Sequence, residues 1–127
     1  MRRTCFLIVL FAVGVTLGYG GDHTIGAAAQ VEYDGNIKEI RLEAFQFGFS
    51  PDPVVVKKGD VVKLEITSRD VPHGVYIKEY NINVPVKKGE SVKVKFLADK
   101  EGEFDIRCSV FCGSGHSRMR GRLVVSK

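Results

Sequence analysis

The stretch FDIRCSVFCGSGHSRM, residues 104–119, begins as a β-strand and continues as a loop that is rich in sulfur and imidazole side chains. Phe104, Ile106 and Cys108 alternate with polar residues, which is the period-two pattern of a strand with one buried face. The alternation predicts that Cys108 lies on the core side at the end of this strand. The pattern then disappears until Arg120, so we predict a loop between two strands.

The same alternation recurs along the chain and predicts an all-β domain. Further strands are predicted around 40–44, 62–66 and 92–96, and residues 123–125 form a last strand. Beyond residue 30, no stretch long enough for a helix has helical periodicity. Short strands separated by turns indicate an antiparallel sandwich or barrel.

Two turns have the same form, Lys57-Lys58-Gly59-Asp60 and Lys87-Lys88-Gly89-Glu90. Their flanks also match, with VVVKKGDVVKLEI at 54–66 and VPVKKGESVKVKF at 84–96. A true internal repeat is one interpretation. We favour two similar hairpins, in which the glycine supplies the turn conformation and the lysines are solvated.

The first 29 residues have the features of a targeting segment. Arg2 and Arg3 precede the apolar run 5–15, and three alanines end at Ala29, where a signal peptidase could cleave. An uncleaved anchor is the alternative, although residues 4–19 fall short of the ~20 that a spanning helix needs. Either interpretation predicts export to the periplasm or to the outer face of the cytoplasmic membrane.

Length and composition indicate one folded domain after this segment. The chain has 127 residues, of which 44% are hydrophobic and 27% are charged. We expect a signal peptide or membrane anchor at 1–29, a linker at 30–37 and a single domain at 38–127. The net charge of +4 is mild, and no dense basic stripe is present, so nucleic-acid binding is excluded.

Potential metal ligands are concentrated in one place. Beyond residue 30 the chain has two Cys, two His and one Met, and only His73 lies outside the loop. His73 follows Val71-Pro72, and we expect it in a second loop at the end of a strand. Thiolate, imidazole and thioether together form the soft ligand set that selects copper. The loop members of this set are Cys108, Cys112, His116 and Met119.

The pattern Cys108-x3-Cys112-x3-His116-x2-Met119, together with His73, resembles the binuclear copper (CuA) domain of cytochrome c oxidase subunit II. The C-terminal domain of nitrous oxide reductase is similar. The motifs FQFGFSPDP at 45–53 and ITSRDVPHG at 66–74 extend the resemblance over nearly all of residues 38–127, and the first is most like the B-family haem-copper oxidases. The resemblance implies a cupredoxin Greek-key β-sandwich.

The resemblance also implies a role for each ligand in a centre of two copper ions. Two thiolates would bridge the ions, each imidazole would bind one ion, and a thioether and a backbone carbonyl would be weak ligands. The bridging thiolates would be those of Cys108 and Cys112, and the imidazoles those of His73 and His116. The weak ligands would be the Met119 thioether and the backbone carbonyl of Val110. The implied function is extracytoplasmic electron transfer from a cytochrome-type donor towards a terminal oxidase. We expect no catalysis from this chain alone, and at most the role of an electron-entry subunit.

Two departures from the family pattern limit what can be carried over. Many oxidase subunits have an acid where this chain has Val110, and that acid serves a second metal site, which we therefore do not expect here. The chain also has no Trp, which oxidase subunits often use for electron entry. Phe45, Phe47 and Phe49 could replace it, but we expect them to pack, since aromatic residues are common in strands.

Other interpretations of the loop explain fewer of its residues. A Cys108–Cys112 disulfide would leave the histidines and Met119 unexplained, and a single-copper blue site would leave Cys112 unused. A copper carrier that delivers the metal to an oxidase is the main alternative function. Known carriers with a Cys-x3-Cys motif have helices between their strands, and this chain predicts none. A Cys-His hydrolase would need a third group that orients the histidine, and nothing in this sequence indicates one.

The arginines around the loop suggest what kind of partner would dock. We expect either a basic rim that attracts an acidic cytochrome or arginines that are merely solvated. Haem-copper oxidase subunit I is a further possible partner, and residues 4–19 could provide membrane association. The arginines in question are Arg107, Arg118, Arg120 and Arg122.

Overall fold

The computed structural model describes residues 35–127. The predicted signal or anchor segment and most of the predicted linker therefore lie outside the described residues. Those described form nine strands: β1 Ile37–Phe45, β2 Gly48–Ser50, β3 Val54–Lys57, β4 Val61–Ser68, β5 His73–Ile77, β6 Ile82–Val86, β7 Ser91–Leu97, β8 Gly102–Arg107 and β9 Arg120–Ser126. The two helices among these residues are single 3-10 turns, Lys78–Tyr80 and His116–Arg118.

The strands form two sheets with a shared hydrophobic core. One sheet has the order β2-β1-β4-β7, and the other has the order β3-β9-β8-β5-β6. The predicted alternation is confirmed where it was strongest, because Leu42, Leu64, Ile66 and Ile106 are buried and their neighbours along the strands are more exposed. Strand β5 was not predicted because four of its five residues are buried, so it shows no alternation.

The expectation of an antiparallel arrangement is confirmed for most strand pairs but wrong for two. Strand β1 pairs with β4 in parallel, and β3 pairs with β9 in parallel. Parallel neighbours cannot be joined by a tight hairpin and need a longer connection. The chain provides this by crossing between the sheets, since β3 and β4 follow one another in sequence but belong to different sheets.

The two similar lysine-rich turns are these crossings rather than hairpins. Turn 57–60 leads from β3 in one sheet to β4 in the other, and turn 87–90 leads from β6 to β7 in the same way. The predicted role of glycine is confirmed, because Gly59 and Gly89 have φ values of +92° and +82°. A side chain is strained in that conformation, and glycine is not.

Within residues 35–127 the structure contains no helix that is long and apolar enough to span a membrane.

Candidate metal centre

The end of β8 and the start of β9 hold the ligand loop. Strand β8 ends at Arg107, β9 begins at Arg120, and the backbone N–H of Cys108 donates to the carbonyl of Met119 at 3.4 Å across the base of the loop. Cys108 is buried, as the alternation predicted. The loop therefore begins and ends on adjacent strands of one sheet, which restricts the positions of its side chains.

His73 comes from a strand and not from a loop, which corrects the expectation. It is the first residue of β5 and lies opposite Val86 of β6. The next residue, Gly74, lets β5 approach the ligand loop closely. A methyl group added there would collide with the Ser109 hydroxyl and would lie 3.0 Å from the backbone nitrogen of Val110.

Four of the predicted ligands form a continuous row of donor atoms. The Sγ atoms of Cys108 and Cys112 are 3.7 Å apart. His73 Nδ1 lies 3.8 Å from Cys108 Sγ, and His116 Nδ1 lies 3.7 Å from Cys112 Sγ. Both cysteines are free, and their separation far exceeds the ~2.0 Å of an S–S bond.

Each of the two remaining predicted ligands lies close to one of the cysteine sulfurs. Met119 Sδ is 3.6 Å from Cys112 Sγ, and the carbonyl oxygen of Val110 accepts the thiol hydrogen of Cys108 at 3.0 Å. All six predicted residues are therefore close together in the fold. Their individual roles as ligands stay a prediction.

Asp70 orients His73, and the sequence reasoning had overlooked it. One carboxylate oxygen lies 2.7 Å from His73 Nε2 and accepts the N–H of Val71 at 2.7 Å. The other accepts the N–H of Gln46 at 2.8 Å. A carboxylate on Nε2 fixes the proton there and leaves Nδ1 free to face Cys108. An acid three residues before a histidine ligand is the sequence signal that could have identified it.

These hydrogen bonds also lower the pKa of Asp70. Desolvation acts to raise the pKa, but it is outweighed by hydrogen bonds from the N–H of Gln46, from His73 and from the N–H of Val71, which bring it to about 2. The carboxylate is therefore charged at every physiological pH, and it can hold the His73 proton throughout that range.

Cys112 has the opposite shift. Burial, followed by the neighbouring Cys108 thiol and the Asp70 carboxylate, raises the pKa of Cys112 to about 11. In the metal-free protein Cys112 is therefore a neutral thiol near pH 7. A metal ion that binds this sulfur as thiolate must displace its proton.

The phenylalanine-rich segment packs against the loop. The side-chain amide of Gln46 donates to the carbonyl of Cys112 at 2.6 Å. The ring of Phe47 lies over Gly113 and Gly115, and a methyl group added at Gly115 would collide with it. Phe49 is buried in the core, as expected for a packing role. The loop glycines therefore make room for an aromatic ring.

Three of the four rim arginines are paired with aspartates. Asp105 binds Arg107 at 2.7 Å and Arg120 at 3.4 Å. Arg122 lies 3.8 Å from Asp52. Arg118 is exposed and has no ion pair with any residue in 35–127. Two aspartates therefore offset only part of the charge of the basic rim predicted from these four arginines.

The donor set fits copper. The ligand atoms of His73, Cys108 and Cys112 lie within 4.8 Å of one another, and all three residues are buried. Two cysteine sulfurs, imidazole nitrogen and a nearby thioether are soft donors. Such donors bind copper more readily than they bind cations that favour oxygen ligands. Because the free Nδ1 atom of His73 already faces a sulfur, a metal could bind without reorienting the imidazole.

Comparisons with known proteins agree with this geometry. The model of the cupredoxin-like domain family matches residues 7–125. Cytochrome c oxidase subunit 2 of Thermus thermophilus is 39% identical over 101 residues, which cover 80% of this chain and 75% of that protein. A nitrous-oxide reductase of Cupriavidus necator is 41% identical over 96 residues, which cover 72% of this chain but only 15% of the reductase.

A solved structure shows the same similarity in three dimensions. A chain in the cryo-EM structure of a haem-copper terminal oxidase dimer superposes with a TM-score of 0.68 and 29% identity, over 76% of this chain and 68% of the other. The predicted resemblance and the predicted all-β cupredoxin fold are confirmed. Copper is the metal that this family and this donor set imply.

Proposed function

The chain belongs to the cupredoxin-like domain family and is homologous to cytochrome c oxidase subunit 2, and on that premise we propose that it is an extracytoplasmic electron-transfer protein with a binuclear CuA centre. It receives electrons from a cytochrome-type donor and passes them towards a terminal oxidase, in association with a haem-copper subunit I. The apolar run at 5–15 after two arginines supports export.

The observation that carries this proposal is the symmetry of the donor row. Each cysteine sulfur has the other cysteine on one side and a histidine Nδ1 on the other, at 3.7–3.8 Å throughout. A single-copper blue site needs only one thiolate. Here the two thiols face each other, and each has an imidazole beside it that could hold one of two ions.

The chain's own contribution to electron transfer is rigid positioning. A copper pair held by Cys108, Cys112, His73 and His116 would supply one-electron redox chemistry. Asp70 holds the His73 ring, the Gln46 amide holds the Cys112 carbonyl, and adjacent strands hold both ends of the loop. A site with little freedom to rearrange favours fast transfer. His73 and Met119 are almost completely buried, which favours retention of the metal over its delivery to another protein.

The number of copper ions tests the proposal. We expect the full chain, after reconstitution, to bind two coppers and to give an electron paramagnetic resonance signal in which one unpaired electron is shared by both nuclei. Cys112→Ser should abolish the shared signal because it removes a bridging thiolate.

Met119→Leu is the matched control. It should keep two coppers and change mainly the reduction potential, because a thioether is a weak ligand whose chief effect is tuning. One copper per wild-type chain, with a single-nucleus signal, would contradict the binuclear centre. Equal copper loss in both variants would contradict the ranking of the ligands.

A further inference from the structure

The lysine-rich turn 87–90 lies at the same end of the sandwich as the metal centre. Val86, the residue before the turn, is paired with His73 in the β5–β6 ladder. Ser91, the residue after it, is paired with Thr67 near the end of β4 from which the chain continues to His73. The register of both sheets therefore brings this turn beside the ligands.

The matching turn 57–60 lies at the opposite end. Lys57 is paired with Ser126, at the far end of β9 from the ligand loop, and Asp60 immediately precedes the start of β4. Strand β4 runs from Val61 to Ser68, and at about 3.3 Å per residue it separates the two ends by about 23 Å. Of two nearly identical turns, 87–90 therefore lies near the metal centre and 57–60 lies far from it.

The turn beside the site provides positive charge from two lysines. Lys87 and Lys88 are exposed, and neither side chain has an ion pair among residues 35–127. Arg118, two residues after His116 in the same 3-10 turn, is a third such cation. Acids in this part of the fold are mostly engaged, because Glu43 binds Arg69, Glu65 binds Arg41, and Asp105 binds Arg107 and Arg120.

Among residues 35–127, two acids at this end form no ion pair with a lysine or an arginine. The Asp70 carboxylate is already engaged by His73 and by two backbone N–H groups. Glu90 is exposed in the turn itself. The lysines and Arg118 therefore leave a moderate positive charge around the ligand loop.

Two exposed aromatic rings lie at the ligand loop, one within it and one packed against it. Phe111 is 77% exposed, and its ring centroid lies 5.7 Å from that of His116. Phe47, which covers the loop glycines, is 40% exposed. Large apolar side chains exposed together are unusual on a free surface, and an apolar centre within a polar rim is typical of an interface.

We infer that Phe47, Phe111, Lys87, Lys88 and Arg118 form a docking face for a redox protein that presents carboxylates around an apolar contact. This inference rests on the proposed electron-transfer function. The aromatic rings supply short-range contact beside His116, and the cations accelerate the encounter with an acidic partner. Two of the three cations come from a turn that is distant in sequence from the ligand loop.

A pair of charge reversals tests the face. The copper-loaded full chain is reduced in stopped flow by an acidic c-type cytochrome over a salt series. Lys87→Glu/Lys88→Glu should slow reduction about tenfold at low ionic strength, and the loss should shrink as salt screens the charges. Lys57→Glu/Lys58→Glu changes the net charge equally at the far end and should stay within about twofold of wild type.

Further measurements separate the possible failures. Phe111→Ala should slow reduction by a similar factor at all salt concentrations, because apolar contact is not screened. Equal slowing by both lysine pairs, an unaffected Phe111→Ala variant, or a basic cytochrome that reacts fastest at low salt would overturn the docking face. Excess dithionite should reduce every variant. If it reduced none, the proposed function itself would fail.

Discussion

At the scale of single residues, the centre depends on side chains that are not themselves ligands. Asp70 fixes the proton on His73 Nε2, and Gln46 contacts both Asp70 and the Cys112 carbonyl. Gln46 therefore links the two parts of the chain that carry the predicted ligands. Hydrogen bonds to charged groups each contribute about 1.5–3 kcal/mol at most, so the effect of losing one is measurable.

Asp70→Asn should change how stability depends on pH. The folded pKa of Asp70 is about 2, below the ~3.9 of an unfolded chain, so its charge stabilises the fold above about pH 4 and that stabilisation is lost as pH falls towards 2. We expect the advantage of wild type over Asp70→Asn in the free energy of unfolding to be constant near neutrality and to shrink in acid. Denaturant unfolding of the copper-free full chain between pH 2 and 7 measures it.

A matched control is available on the outer surface. Glu39→Gln removes an acid whose ion pair with Lys63 is long, at 3.6 Å, and exposed, and it should have a much smaller effect. If Asp70→Asn and Glu39→Gln gave the same pH profile, the hydrogen-bond network around Asp70 would not be the cause of its low pKa.

At the scale of elements, the close approach of β5 to the ligand loop sets the position of His73 relative to Cys108. The backbone N–H of Ser109 donates to the carbonyl of Gly74 at 3.4 Å, and no side chain at position 74 intervenes. Strand β5 therefore fixes one imidazole against the loop that carries both sulfurs. The distance between His73 and the cysteine sulfurs therefore depends on how closely β5 packs against the ligand loop, which the absence of a side chain at Gly74 permits.

Gly74→Ala should push the loop away from β5. The added methyl group would collide with the Ser109 side chain, and overpacking of this kind costs about 1–3 kcal/mol. We expect lower thermal stability and, in the copper-loaded protein, an altered electron paramagnetic resonance spectrum. Ser109→Ala on the Gly74→Ala background should restore part of both properties. A Gly74→Ala variant as stable as wild type would contradict the close-packing argument.

At the scale of the whole molecule, copper binding should stabilise the fold. The predicted ligands come from β5 and from the loop between β8 and β9, so a bound metal would connect elements that are far apart in sequence. A ligand that binds only the folded state raises its stability by mass action. The bound metal would thereby add a connection at one end of a fold that is otherwise held together by its shared core.

We expect a higher melting temperature for the copper-loaded full chain than for the copper-free one, and loss of the difference on adding a chelator. Because the pKa of Cys112 is about 11, binding displaces its proton, and copper affinity should rise with pH across the neutral range. Calorimetry in buffers of different ionisation enthalpy measures the protons released. Identical melting temperatures with and without copper would contradict the proposal that copper stabilises the fold.

The sequence alone determined the chemistry of the site and the class of the fold. Copper could be predicted because it selects a small group of soft side chains, and the chain concentrates them at 108–119. The all-β fold could be predicted because half-buried strands impose a period of two on the residues. Strand β5 left no such pattern, which is why His73 was expected in a loop.

Only the tertiary structure decided which parts of the chain meet. Parallel pairing and the crossings between sheets depend on contacts between residues far apart in sequence, which local periodicity does not record. The same is true of Asp70 and Gln46 beside the predicted ligands, and of the two aspartates that pair with three rim arginines. The two lysine turns are nearly identical in sequence, yet they lie at opposite ends of the sandwich, because strand direction and register, and not composition, set their positions.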